Sequence, residues 1–451
     1  RVNDTLAASR QPMKIVLPSQ DLSATAAAPT STTSPSASAS PPGGEPPEAQ
    51  ATPTPEPAAT PAPAPPKATV PATGGRSPAG HGPSRPSGAG GGEGGSGKGS
   101  SGASHSGLPP VKHVFVIMLS DEPYASVFGP ASTAPYLAQT LEHKGELLVR
   151  YDAVAHEQLA DELALLSGQG PTAETAADCP NYAAMAPTGI GPDQQVLGSG
   201  CVYPSSTQTL PGQLAAKHLT WRAYIQGTDE PDVPGACAHP AWGQADPTSG
   251  LTPSSAGPYA TYIDPFVYFQ SITGSPSCAA DVVGLGRLQG DLANPARTPS
   301  FSYIAPDRCQ DASPTPCSAG EPAGLAPANR FLAKVVPEIM ESKAYSESGL
   351  LVITVDEAPS SGEFADSSSC CGQPSFPNVA STAPSGLSPR GGGAVGALLL
   401  SPFVKGATTN QEPFNHFSLL RTIEDFFGLA HLGYAALPAV KSFEPSIFTG
   451  G

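Results

Sequence analysis

The chain predicts an α/β fold, a three-layer α/β/α sandwich built on a mostly parallel sheet. Three observations lead there. Val111–Leu119 (VKHVFVIML) and Gly349–Glu357 (GLLVITVDE) are almost continuously apolar, as strands covered on both faces must be. Segments with helical spacing alternate with such runs over several hundred residues. The first aromatic residue is Phe115, so the part of the chain able to build a large core begins near that point.

Taken in order, Val111–Leu119 opens the sheet. Ala134–Gly145 has helical spacing and stops at Gly145. Leu147–Val154 reads as a strand and Gln158–Ser167 as a helix stopped by Gly168. Thr209–Leu219 is a helix feeding the strand Thr220–Gln226, and Leu285–Leu292 a helix before the strand Ser300–Ala305. Ala326–Ser342 is a long helix with an expected bend near Pro337. Gly349–Glu357 and Ala394–Val404 are further strands. Asn415–Leu429 closes the core with an apolar stripe of Leu419, Leu420, Ile423, Phe426 and Phe427.

The N-terminal part is of another kind. Pro (55) and Gly (49) are abundant in the chain, and Arg1–Val114 has no Phe, Tyr or Trp. Such a segment cannot bury enough apolar surface to offset its chain entropy. Residues 1–108 are therefore expected to be disordered, either a stalk or an ordinary tail. It is Pro/Ala/Thr/Ser-rich and stiff to about Pro71, then Gly/Ser-rich and flexible from about Gly74 to Gly107. Residues 109–451 form the folded domain. A net charge of −16 with only 22 Lys and Arg, and no basic run, excludes a nucleic-acid or anionic-membrane surface. Contact with a cell envelope would come through the stalk.

Eight cysteines fall between Cys179 and Cys371. An even count confined to the folded part predicts disulfides and an extracytoplasmic, secreted or surface-anchored, location. Cys309 with Cys317 and Cys179 with Cys201 are candidate pairs. Adjacent Cys370 and Cys371 are expected to have separate partners. Arg1 is not an initiator Met, so a signal or anchor segment ahead of it is expected.

In open α/β sheets functional residues gather beyond the carboxyl ends of strands. That rule singles out Ser120–Glu122, Pro306–Asp311 and Asp356–Glu357. Carboxylates at three strand ends suit a hard divalent cation.

These residues belong to a wider pattern. Val111–Gly129 (VKHVFVIMLSDEPYASVFG), Ser167–Pro171 (SGQGP), Asp178–Pro180 (DCP), Gly198–Pro204 (GSGCVYP) and Asp264–Ser271 (DPFVYFQS) resemble the phosphoesterase family. So do Thr298–Pro306 (TPSFSYIAP), Leu351–Glu357 (LVITVDE), Ser401–Val404 (SPFV) and, most specifically, Asn415–Gly428 (NHFSLLRTIEDFFG). The family comprises phospholipase C and acid phosphatase types within the alkaline phosphatase superfamily. The resemblance runs in order across 111–445. It implies an alkaline-phosphatase-like fold and metal-dependent hydrolysis of phosphoric esters, including phospholipids.

The resemblance also implies roles. The family's Glu-Asn metal pair falls on Ser120 and Asp121. Its His, two residues before a Ser or Thr nucleophile, falls on His156, which puts Gln158 at the nucleophile position. Asp311 keeps an acidic ligand position, while the His expected two residues later is Ser313. Asp356 and Glu357 match paired acidic ligands, and His416 matches a late His. Gln158 has no nucleophilic oxygen of useful basicity, and Glu157 and Asp161 add negative charge beside it. Three readings follow. One is a phosphoesterase in which Asp121, Asp311, Asp356, Glu357 and His416 hold a divalent ion of unspecified identity, with a metal-bound water as nucleophile. A second is a non-catalytic surface-binding relative. The third moves the nucleophile to Ser167 or Ser126.

Overall fold

A computed structural model describes residues 107–229, 235, 237–250, 257–379 and 391–448. The expected stalk lies outside the described residues, save its last two.

Eight strands form the main sheet: β1 (His113–Leu119), β2 (Glu146–Leu148), β3 (Trp221–Ile225), β4 (Val282–Gly284), β5 (Phe301–Ala305), β6 (Gly349–Val355), β7 (Ala397–Leu400) and β8 (Thr408–Asn410). Their spatial order is β8-β2-β7-β6-β1-β5-β3-β4. All pairings are parallel except those of β7 with β6 and β2. β1 lies between β5 and β6, with Ile117 beside Ile304 on one side and Ile353 on the other. Every residue of β5 and β6 is buried, so both faces of the sheet are covered.

The covering helices fall into two packed groups. One contains α1 (Gln158–Ser167), α2 (Leu210–Ala216) and α5 (His416–Phe427), which touch each other. The other contains α3 (Leu325–Met340) and α4 (Lys343–Ser348), with the turns of Tyr136–Leu141 and Leu288–Leu292 against α3. Their ends have local causes. The side chain of Thr209 accepts the Gly212 N–H at 3.1 Å at the start of α2, and Asn415 caps α5 through the Ser418 N–H at 3.0 Å. Gly168 ends α1 at φ +68°, where an added Cβ would meet the Leu432 carbonyl at 2.1 Å, so only glycine fits.

Several expectations need correction. Leu147–Val154 is not one strand. After β2 the chain leaves the main sheet, and Tyr151–Asp152 pairs with Phe414–Asn415 instead. The Val154 and Ala155 N–H groups then turn onto the Asp161 carboxylate, which ends any ladder. Ala134–Gly145 forms a wide π-type turn and a 3-10 turn rather than an α-helix. The helix expected over Ala326–Ser342 runs as Leu325–Met340 with Pro337 inside it, and a new one starts after Ser342, whose hydroxyl accepts the Tyr345 N–H. Ala394–Val404 contributes only β7, which runs antiparallel. The disulfides Cys179–Cys201 and Cys309–Cys317 are present, with Cys237–Cys278 as a third. Cys370 and Cys371 are bonded to each other, not to separate partners, since the other six cysteines are already paired. Among the described residues no helix is long and apolar enough to cross a membrane.

Ile117 is fully buried at the centre of the sheet. Ile117→Ala is expected to lower the unfolding free energy by about 2–5 kcal/mol through lost transfer energy and a cavity. Urea denaturation of the two proteins would show it; a midpoint unchanged by the substitution would mean that β1 is not central.

Candidate active site

Because β1 is flanked by parallel neighbours, its exit lies between those of β5 and β6. Backbone bonds lock the three exits together. The Ser120 N–H donates to the Asp311 carbonyl at 2.6 Å, the Asp356 N–H to the Leu119 carbonyl at 2.9 Å, and the Glu122 N–H to the Glu357 carbonyl at 3.1 Å. Asp121, at φ +53°, turns its N–H onto Asp356 Oδ1 at 3.0 Å. The same oxygen accepts the Glu357 N–H. The structure thus gathers Asp121, Asp311, Asp356 and Glu357 at one end of the sheet.

The second half of the site comes from the segment entering α1. Glu357 Oε2 accepts the Glu157 N–H at 2.9 Å and faces His156 Nδ1 at 3.0 Å. Glu157 reaches that position only with φ +72°, an uncommon conformation for a residue with a side chain. His156 Nε2 in turn faces Ser367 Oγ at 2.9 Å. Gln158 is buried at the first turn of α1. Its amide donates to Glu162 Oε1 at 2.9 Å, and its carbonyl lies 3.5 Å from Ser120 Oγ. Tyr303 donates to the same Glu162 oxygen at 2.6 Å. The Leu159 N–H is taken by Asp178 Oδ1 at 3.0 Å. His416 is fully buried. Its Nδ1 meets the Tyr151 hydroxyl at 3.0 Å, and its Nε2 meets the Asp356 carbonyl at 2.9 Å and Asp161 Oδ1 at 3.4 Å.

This crowd of acids in a dry place shifts its own ionisation. Burial pushes the Asp121 carboxyl up to about 6, against the opposing pull of His156. Burial, with Asp121 adding to it, raises Glu122 to about 7. Burial takes Asp178 and Asp311 to about 7 as well. It drives Asp161, Glu162, Asp356 and Glu357 well above the usual carboxylate range, with neighbouring carboxylates adding to each. Burial lowers His156, and holds His416 at about 4 and hence neutral.

The donor set can be tested against a divalent ion. Asp356 Oδ2 and Asp311 Oδ2 are buried without a hydrogen-bond partner. Their other oxygens are committed, Asp356 Oδ1 to two backbone N–H groups and Asp311 Oδ1 to the Ser313 N–H at 2.7 Å. Glu357 Oε2 is held by His156 and Glu157. Among the described residues no three His, Cys, Asp or Glu side chains converge as metal ligands. The residues present do not form a ready cation cage.

The phosphoesterase family profile matches residues 131–430, more than half of the chain. The chain belongs to the phosphoesterase family. No curated protein sequence matches it. Among solved structures it is similar to a protein of the alkaline phosphatase superfamily from Vibrio parahaemolyticus, at 10% identity over 73% of this chain and 69% of that one, TM-score 0.41. It is also similar to a sulfatase from a Pseudoalteromonas species (12%, 75% and 73%, TM-score 0.39) and to a phosphonate monoester hydrolase from Silicibacter pomeroyi (11%, 75% and 77%, TM-score 0.39).

The fold and its family were legible in the sequence, whereas several residues of this centre were not. Asp178, Glu162 and Tyr151 lie in segments that were readable as a motif, a helix and a strand without being marked as site residues, and Ser367 enters from a segment with no signal of its own. Ser167 is buried and donates to the Leu163 carbonyl at 2.7 Å, and Ser126 belongs to the short helical turn after β1.

The titrations predict a pH dependence of stability. Asp178, Asp264 and Asp311 stand at about 7 in the folded chain and near 3.9 when unfolded. The folded state therefore binds more protons between those values, and stability falls as pH rises through about 7. The depressed His416 works the other way, but only between about 4 and its unfolded value near 6.5. Above that value the decline is unopposed. The melting temperature is expected to be lower at pH 8 than at pH 6.5; an equal or higher one would contradict the assignment of protonated carboxyls.

Proposed function

We propose that this phosphoesterase-family chain has given up the family's phosphoryl transfer and serves as an extracytoplasmic module carried on its N-terminal stalk. One observation carries the reading. Gln158, at the position the resemblance assigns to the nucleophile, is tied by its own amide to buried Glu162. Its surroundings agree. The N-terminus of a helix after a strand is where a phosphate would find free N–H groups. Here Asp178 holds the Leu159 N–H and Glu357 the Glu157 N–H. A phosphate would have to displace two carboxylates and then sit among Asp121, Glu157 and Asp161. The disulfides support an oxidising compartment, and the composition of 1–108 supports the stalk.

A second reading, uptake of a divalent ion and phosphoric-ester hydrolysis, is favoured by the lone buried oxygens of Asp356 and Asp311. The two separate experimentally. Full-length protein is expected to show no Mn²⁺, Zn²⁺ or Ca²⁺ uptake by calorimetry near neutral pH. Hydrolysis of nitrophenyl phosphate mono- and diesters should not exceed that of Asp356→Ala. Metal-dependent turnover lost in Asp356→Ala would establish the second reading. Under the first, the triple change Ser120→Glu, Asp121→Asn, Gln158→Ser is expected to gain turnover that the parent lacks.

A further inference from the structure

From the geometry around His156 we infer a second hydrolytic centre within this site: Ser367 is a nucleophile, His156 its general base and Glu357 the residue that positions the imidazole, acting on neutral carboxylic esters. The inference goes beyond the loss of phosphoryl transfer and does not depend on it.

The three side chains stand in line. Ser367 Oγ is 2.9 Å from His156 Nε2, and His156 Nδ1 is 3.0 Å from Glu357 Oε2. A nucleophile within hydrogen-bond reach of a base, itself oriented by a carboxyl on its far nitrogen, is the arrangement that activates a serine. Glu357 Oε2 also accepts the Glu157 N–H. In the ionised form of Glu357 it accepts from Nδ1 as well, and Nε2 is left to accept the proton of Ser367.

The alignment is built rather than incidental. Asp366, just before Ser367, has one oxygen on the Ser368 N–H at 2.8 Å and the other on the Ala394 N–H at 2.9 Å. Ser368 Oγ donates to Asp152 at 3.2 Å, and its carbonyl accepts the Gly393 N–H. The Gly392 N–H donates to the Ala153 carbonyl. A Cβ at Gly391 would meet the Ser368 carbonyl at 2.0 Å, and one at Gly392 the Ala155 carbonyl at 1.8 Å. Two glycines thus let the Ser367 and His156 segments close on either side of one strand of chain. Ser367 itself is half-buried, with His156 buried beneath it, so a substrate can approach from the open side.

Charge selects the substrate. The charged side chains bearing on His156 besides Glu357 are Glu157, Asp121 and Asp366, all acidic. An anionic phosphate ester is repelled there, whereas a neutral acyl ester is not. In the reaction, Ser367 Oγ adds to the carbonyl carbon as its proton passes to His156 Nε2. The bond to the alcohol oxygen breaks, and the alcohol leaves with that proton. Water then adds to the acyl-serine and gives a proton to Nε2. The acid departs as the proton returns to Oγ. Ester and water become acid and alcohol, with no other reactant.

The test uses the full chain with a fluorophosphonate, which phosphonylates activated serines, and with nitrophenyl butyrate. Peptide mass spectrometry is expected to place the adduct on Ser367 of the unsubstituted protein. Ser367→Ala and His156→Gln should each lower butyrate kcat by about 10³-fold or more. Glu357→Gln should lower kcat about tenfold or more and leave KM and the labelled residue unchanged, as befits a positioning role. No adduct on Ser367, or butyrate turnover within twofold of the parent in Ser367→Ala, overturns the inference. Because the first result is read on the unsubstituted chain, a variant that fails to fold does not obscure it. Phosphodiester turnover that survives Ser367→Ala but not Asp356→Ala would defeat the proposed loss of phosphoryl transfer while leaving the labelling result standing.

Discussion

The placement of β1 between two parallel neighbours is the constraint on which the rest depends. It brings the exits of β1, β5 and β6 within hydrogen-bond distance of one another, and each exit carries acid. Isolated ionised carboxylates cannot be buried at tolerable cost. The chain meets that cost in two ways. It aims backbone N–H groups at one oxygen of Asp356, Asp161, Asp311 and Glu357, and it raises the affinity of these groups for protons. An enzyme handling phosphate needs those N–H groups and positive charges for its substrate. Here the N–H groups are consumed in keeping the protein's own acids in place.

The replacements at the family positions form a connected set. Gln158 is long enough to reach Glu162 one turn along α1, which a serine at that position is not. Glu162 also receives the Tyr303 hydroxyl from β5, so Gln158 and Glu162 tie the helix to the sheet. Asp161 does the same on its own face. It takes the Val154 and Ala155 N–H groups and approaches His416 Nε2, whose other nitrogen meets Tyr151. One oxygen of Asp161 and one of Glu162 are tied into the packing in this way, while Asp161 Oδ2 and Glu162 Oε2 are buried without a partner.

How far the sequence could be read follows from these contacts. The seven-residue, doubly covered strands β1 and β6 announce themselves, because burial on both faces favours a nearly continuous apolar run. The edge strands β4 and β8 have three residues each, too few for any periodicity. Leu147–Val154 looks like one strand because its apolar pattern continues past the point where the backbone changes partner. The bond between Cys370 and Cys371 is not legible in the sequence, because adjacency favours separate partners, whereas the other six cysteines pair among themselves. At the site, Asp121, Asp311, Asp356 and Glu357 could be picked by their place at strand ends, and His156 through the family resemblance. Ser367 could not. It stands in the run Ser367–Ser369 after a Gly- and Ser-containing loop, a composition that marks a turn and nothing more. Only the closure of Gly391–Gly393 against it brings its hydroxyl to His156.

That last point bears on how chemistry can change while a fold is kept. Function resides in sites carried by a scaffold rather than in the scaffold itself. A strand-end centre that loses its nucleophile still has a buried histidine oriented by a carboxyl, because Glu357 is fixed by the Glu157 N–H and by the end of β6 whatever it once served. Such a histidine has one nitrogen free to act as a base. Whatever hydroxyl the neighbouring loop presents to that nitrogen acquires the environment of an activated serine without any further change in the sheet. On the reading proposed above, the carboxylates that disfavour an anionic phosphate are no obstacle to an uncharged ester, and the deciding atom is supplied by a loop rather than by the core.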